Sequence, residues 1–113
     1  MPESKRDKNL YLVDIKECIR NIESYTKDLT FEKFKNNKMA VDAVVRNLEI
    51  IGEAANNLSD EIKRKSKDIE WGEIVGMRNK IIHEYFGVDL EIIWTAIKEE
   101  IPKLKKEINK IKS

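Results

Sequence analysis

Arg78 and His83 stand five residues apart in the run Arg78-Asn79-Lys80-Ile81-Ile82-His83-Glu84-Tyr85-Phe86-Gly87. A guanidinium holds two phosphate oxygens in a fork, and an imidazole exchanges a proton near neutral pH. The pair suits phosphoester chemistry. His83 is the only histidine among 113 residues, so any mechanism that needs an imidazole must use it. Read as a helix, the segment places Gly72, Gly76, Asn79 and His83 within an arc of about 60°. Glycine inside a helix costs about 1 kcal/mol relative to alanine. Two on one face predict a close approach there by a second helix, a second subunit or a nucleic-acid backbone. Arg78 lies about 140° round from His83, in line with Trp71, Ile74, Val75 and Ile82. A guanidinium among large apolar groups needs an anionic or polar partner. Spacing leaves plainer readings open: His83 as a surface or capping group near a helix end, and Arg78 as the ion-pair partner of Glu49 or Glu53.

The elements that must position these residues read as helices. From about Lys8 to Lys27, Leu12, Ile15, Ile19 and Ile22 form one stripe, widened by Tyr11, Cys18 and Tyr25. Such spacing marks an amphipathic helix. Asp28-Leu29-Thr30 reads as a break, with Thr30 capping a short turn that carries Glu32, Phe31 and Phe34. From about Asn37 to Asn57, Val41, Val44, Leu48, Ile51, Ala55 and Leu58 recur at steps of three or four. Asp42, Arg46, Glu49, Glu53 and Asn56 recur on the opposite side. These are either a solvated face with ordinary ion pairs or a cleft wall that holds Arg78. A short lysine-rich helix is predicted from Asp60 to near Lys67, and a longer one from about Ile69 to Glu84. Asp89 is the expected cap of the last helix, which carries Leu90, Trp94, Ile97, Ile101, Leu104, Ile108 and Ile111. Pro102 within it removes a backbone donor and should bend the helix or end its regular part. With no period-two stretch, the expected fold is an all-α bundle of four main helices plus short helical turns. Residues 1–8 are expected to be a flexible N-terminus and 9–112 a single helical domain.

Composition closes other routes. The chain has 22 Lys+Arg against 21 Asp+Glu, a formal net charge of +1, which argues against a strongly basic nucleic-acid scaffold. A hydrophobic content of 41% is too high for a disordered chain. Only 4 Gly and 2 Pro leave little material for the turns of a β-sandwich. Cys18, the single cysteine, cannot form an intramolecular disulfide and reads as a small core residue. Met1 to Asn9 is almost wholly polar, and no apolar run approaches the ~20 residues that span a bilayer. A cytoplasmic protein without membrane contact is expected.

The run Met77-Arg78-Asn79-Lys80-Ile81-Ile82-His83-Glu84-Tyr85-Phe86-Gly87-Val88-Asp89 resembles the signature of the HEPN superfamily, with Arg, a following polar residue and His at the family spacing. The Tyr two residues after the His points to the HepT-like toxins, the HEPN halves of HEPN/MNT toxin–antitoxin pairs. Val45-Arg46-Asn47-Leu48-Glu49-Ile50-Ile51-Gly52-Glu53-Ala54-Ala55 and Ile92-Ile93-Trp94, followed by Ile101-Pro102-Lys103-Leu104, are similar to other helices of this branch. The resemblance spans about residues 10 to 110. It implies an up-and-down helical bundle, a homodimer whose Arg/His motifs share a cleft, and metal-independent endoribonuclease activity with no cofactor. It also implies a toxin of a type II or VII-like system, neutralised by a nucleotidyltransferase antitoxin that transfers AMP to Tyr85.

In metal-free RNA cleavage the adjacent 2′-hydroxyl is the nucleophile, which calls for a base, an acid and charge stabilisation. His83 is assigned proton transfer and Arg78 phosphate stabilisation, with Asn79 orienting His83 or binding a phosphate oxygen. The second His83 of a two-fold dimer supplies the second proton-transfer group. The alternative is a non-catalytic HEPN-like subunit that binds nucleotide or docks onto a nucleotidyltransferase.

Overall fold

The computed structural model describes residues 8–76 and 90–111, and they are helical with no strand among them. In chain order the elements are α1 (Lys8–Thr26), α2 (Phe31–Lys35), α3 (Lys38–Asn57), α4 (Asp60–Arg64), α5 (71–76), α6 (Leu90–Thr95), a π-helical turn (Ala96–Glu100) and α7 (Ile101–Ile108). The all-α bundle read from periodicity is the observed fold. Residues 1–7 of the expected N-terminal segment and the expected cap Asp89 lie outside the described residues.

Polar side chains punctuate the helices. Asp28 adopts the left-handed conformation at φ 64°, which an aspartate tolerates better than most residues and which stops α1. Thr30 then caps α2, its Oγ1 accepting from the Lys33 amide at 3.2 Å. Asn37 and Ser59 cap α3 and α4 in the same way, accepting from Ala40 and Ile62 at 3.1 and 3.2 Å. Each satisfies a first-turn donor that has no partner within its helix. α4 ends at Arg64 rather than near Lys67. Its following turn is tied down when the Trp71 indole donates to the Lys63 carbonyl at 3.3 Å. The next helix begins at 71 rather than at Ile69, which is buried in the preceding turn.

The core is the seam between α1 and α3, extended by α7. Ile15, Val44, Leu48, Ile51 and Ile108 are fully excluded from solvent, with Leu12, Ile19, Ile22, Ile101 and Leu104 at 2% exposure or less. Burial of side chains of this size stabilises a fold by about 1.5–3 kcal/mol each. Asn47, almost fully buried on α3, accepts from Asn21 of α1 at 3.1 Å and donates to the Ala43 carbonyl at 2.8 Å. Above this layer Trp94 of α6 packs on Phe31 and the buried Phe34 of α2, with centroids 6.1 and 5.1 Å apart. Of the residues expected to widen the α1 stripe, Cys18 is buried and Tyr11 packs against the core. Tyr25 does not join them: it is 43% exposed, while the next residue, Thr26, takes the buried place in the last turn of α1.

Regular α-helical winding stops ahead of Pro102, as expected, while the apolar stripe runs on through Ile97, Ile101 and Leu104. The Ile101 amide donates to the Ala96 carbonyl, five residues back, and the chain makes a π turn before α7 restarts with Pro102 in its first turn. The π register accommodates the missing proline N–H, since the amide just before it already reaches five residues back.

Burial raises the Cys18 thiol from 9.0 to about 11, with Asp14 and Glu17 pushing the same way and Arg46 opposing. The fold favours the neutral thiol, so this contribution is complete below pH 9 and is lost as pH rises through about 11. We expect Cys18 to resist iodoacetamide at pH 8 until the protein is unfolded; rapid native labelling, read by mass spectrometry, would contradict its burial. Leu48→Ala should lower unfolding free energy in urea by about 2–5 kcal/mol, with the transition still cooperative.

Candidate functional site

Arg78, Asn79, His83 and Tyr85 all lie outside the described residues. What the structure places is their two flanks. The described part of α5 reaches Gly76, two residues before Arg78, and α6 begins at Leu90, five after Tyr85. Both flanks border one hollow of about 520 Å³. α5 contributes Glu73, Ile74 and Gly76, α6 contributes Glu91, Ile92 and Thr95, and the π turn contributes Ala96 and Glu100. Ile74 and Ala96 are buried and form an apolar floor, while Glu73 and Glu91 are exposed. A smaller hollow of about 200 Å³ shares Glu73, Ile74 and Glu100 and adds Asp68, Glu70, Lys103 and Glu107. The described walls beside the motif are thus apolar with an acidic rim. Such a rim repels phosphate, so charge attraction for an RNA backbone at this place must come from other groups.

The described residues settle some of the sequence-based alternatives. An added Cβ at Gly72 or Gly76 meets nothing within 4 Å among the described residues, so no described helix of this chain makes the predicted close approach. Gly72 also sits in the first turn of α5, where the helix-interior cost of glycine does not apply. On α3, Asp42, Arg46 and Glu53 are exposed and Glu49 is half-buried, and Lys38 pairs with Asp42 at 3.1 Å. The alternative in which this stripe holds Arg78 lies outside the described residues. Cys18 is no rival nucleophile, because its thiol is neutral and buried. No three or more His, Cys, Asp or Glu side chains among the described residues are grouped to hold a metal ion. No described helix is long and apolar enough to cross a membrane.

Sequence reasoning missed the hollow. Glu73, Glu91 and Glu100 look like any glutamates on solvated helix faces, and Thr95 carries no signal of its own. Only the apposition of α5 with α6 and the π turn joins them, and no local spacing encodes it.

Residues 15–111 match the ribonuclease HepT-like family, a span that includes Arg78, Asn79, His83 and Tyr85. The chain is 45% identical over 105 residues to "Putative RNase MJ1380" of Methanocaldococcus jannaschii, covering 93% of this chain and 96% of that one. It is 45% identical over 108 residues to "Probable ribonuclease HepT" of Thermococcus cleftensis, covering 96% and 98%. To "Putative RNase TTE0752" of Caldanaerobacter subterraneus it is 47% identical over 97 residues, 86% of each chain. No solved structure matches. With the family match spanning nearly the whole helical bundle and the Arg/His motif within it, the chain belongs to the ribonuclease HepT-like family of the HEPN superfamily.

Proposed function

We propose that this chain is a metal-independent endoribonuclease that acts in the cytoplasm as a homodimer. In this reading it is the toxin of a toxin–antitoxin pair and is silenced by an MNT-type nucleotidyltransferase that transfers AMP to Tyr85. The observation that carries the reading is the family match over 15–111, which encloses the whole Arg78-Asn79…His83-Glu84-Tyr85 motif.

The chemistry follows from the side chains. One His83 takes the proton from a 2′-hydroxyl, whose oxygen attacks the adjacent phosphorus. The P–O5′ bond breaks, leaving a 2′,3′-cyclic phosphate, and the departing 5′-oxygen receives a proton from the second His83 of the dimer. Arg78 grips the non-bridging oxygens as charge accumulates on the phosphorane. Asn79 orients the imidazole or bonds a phosphate oxygen. AMP on Tyr85 adds a negative charge and a bulky base next to these groups and excludes incoming RNA by charge and by volume. The second reading is a non-catalytic nucleotide-binding or partner-docking subunit, and the acidic rim, which repels phosphate, favours its partner-docking form. Labelled RNA incubated with the protein in excess chelator separates them, since only the nuclease yields cyclic-phosphate ends.

His83→Ala should lower cleavage by at least about 100-fold with circular dichroism unchanged; a wild-type rate would remove His83 from the chemistry. Arg78→Lys should lose a similar factor, because an ammonium lacks the planar fork, and near-normal turnover would make Arg78 structural. Co-expression with the adjacent nucleotidyltransferase should add AMP to Tyr85 in peptide mass spectra and abolish cleavage. An adduct elsewhere, or none, counts against the regulatory part.

A further inference from the structure

Away from the acidic hollow, one patch combines cations with aromatic faces. Lys35 Nζ lies 5.6 Å from the centroid of Phe31, and the Phe31 ring lies 6.1 Å from that of Trp94. Lys98 Nζ stands 4.6 Å over the Trp94 ring. Lys98 in turn shares the rim of a hollow of about 340 Å³ with Lys27 at the end of α1. The order in space is cation, ring, ring, cation, cation. Lys27, Lys35 and Lys98 are exposed, and Phe31 and Trp94 are half-buried. The nearby carboxylates are partly engaged: Glu32 pairs with Lys35 at 3.4 Å and Glu23 with Lys105 at 2.9 Å, while Asp28 also borders the hollow.

Trp94 holds its position without RNA because it packs on Phe34, which is fully buried. It lies four residues into α6, roughly 6 Å of helix rise from the residue at which α6 opens after the motif. Aromatic rings held in place beside exposed lysines are the combination that binds single-stranded nucleic acid: Lys98 and Lys35 swing off Trp94 and Phe31 onto phosphates, and bases take their place on the rings. It also places the attraction for a polyanion where the acidic walls of the motif flanks do not supply it. The chain's net charge of +1 conceals this local asymmetry.

We propose that Lys35, Phe31, Trp94, Lys98 and Lys27 form a docking track for the single-stranded RNA that flanks the cleaved bond. The proposal rests on the ribonuclease reading for its biological sense, but its test does not require cleavage. The probe is a fluorescent 2′-O-methyl oligonucleotide of about 20 nucleotides, which lacks the nucleophilic hydroxyl. Binding is followed by anisotropy as a function of salt. Replacing all three lysines (K27A, K35A and K98A together) should weaken binding about tenfold at 0.1 M salt and lower the slope of log Kd against log salt by about 2, near 0.7 per lost phosphate contact. The charge-matched triple variant of Arg64, Lys65 and Lys67 to Ala should change both much less. In a Trp71→Phe background the oligonucleotide should quench the emission of Trp94. No binding by the wild type, equal losses in the two triple variants, or unquenched Trp94 would each overturn the track. Loss of binding in the first variant alongside RNA that is never cut would instead retain the track and reject the nuclease.

Discussion

Exclusion of water from the seam between α1 and α3 is the constraint on which the remaining structure hangs. Neither helix has an apolar surface that could stand exposed, and α7 closes the seam with Ile101, Leu104 and Ile108. Once these three rods are fixed, the short elements have little freedom. α2 is held between capped ends and offers Phe31 and Phe34 to Trp94, and α5 is anchored by buried Ile74. The described part of α5 and the start of α6 therefore line the same hollow, although thirteen residues separate Gly76 from Leu90 in the chain. The Arg78…Tyr85 motif belongs to that interval of sequence.

Burial and charge are divided across the molecule in a way that bears on a polyanionic substrate. The flanks of the motif present Glu73, Glu91 and Glu100, whereas the face formed by α2, the end of α1 and the π turn presents lysines beside aromatic rings. A net charge near zero is the sum of these unlike surfaces. Local fields, rather than the total, steer a charged ligand at distances within a Debye length of about 8–10 Å.

Much of the bundle was legible in the sequence because helical burial repeats every three or four residues. Leu12, Ile15, Ile19 and Ile22 announced α1, and Val44, Leu48 and Ile51 announced α3. Thr30 was legible as a cap from its place before Phe31 and Glu32. Tyr25 was not legible as exposed, since its phase lies at the edge of the stripe, and the small Thr26, its hydroxyl donating to the Ile22 carbonyl, is buried in its place. At Gly72 and Gly76 no described residue makes the expected close approach, because glycine reports permission for contact and does not name the partner. Arg78 and His83 suggested phosphoester chemistry by residue type, whereas the family was legible only when they were taken together with Asn79 and Tyr85. The acidic hollow was illegible because it belongs to no single segment.

The π turn before Pro102 has a consequence for how one rod serves two neighbours. It inserts an additional residue into the winding, so the halves on either side are set at independent rotational phases. α6 can aim Trp94 at the aromatic layer of α2, while α7 aims its isoleucines at α1, without either compromising the other's fit. A proline often regarded as a defect here acts as a clutch between two gears on one shaft.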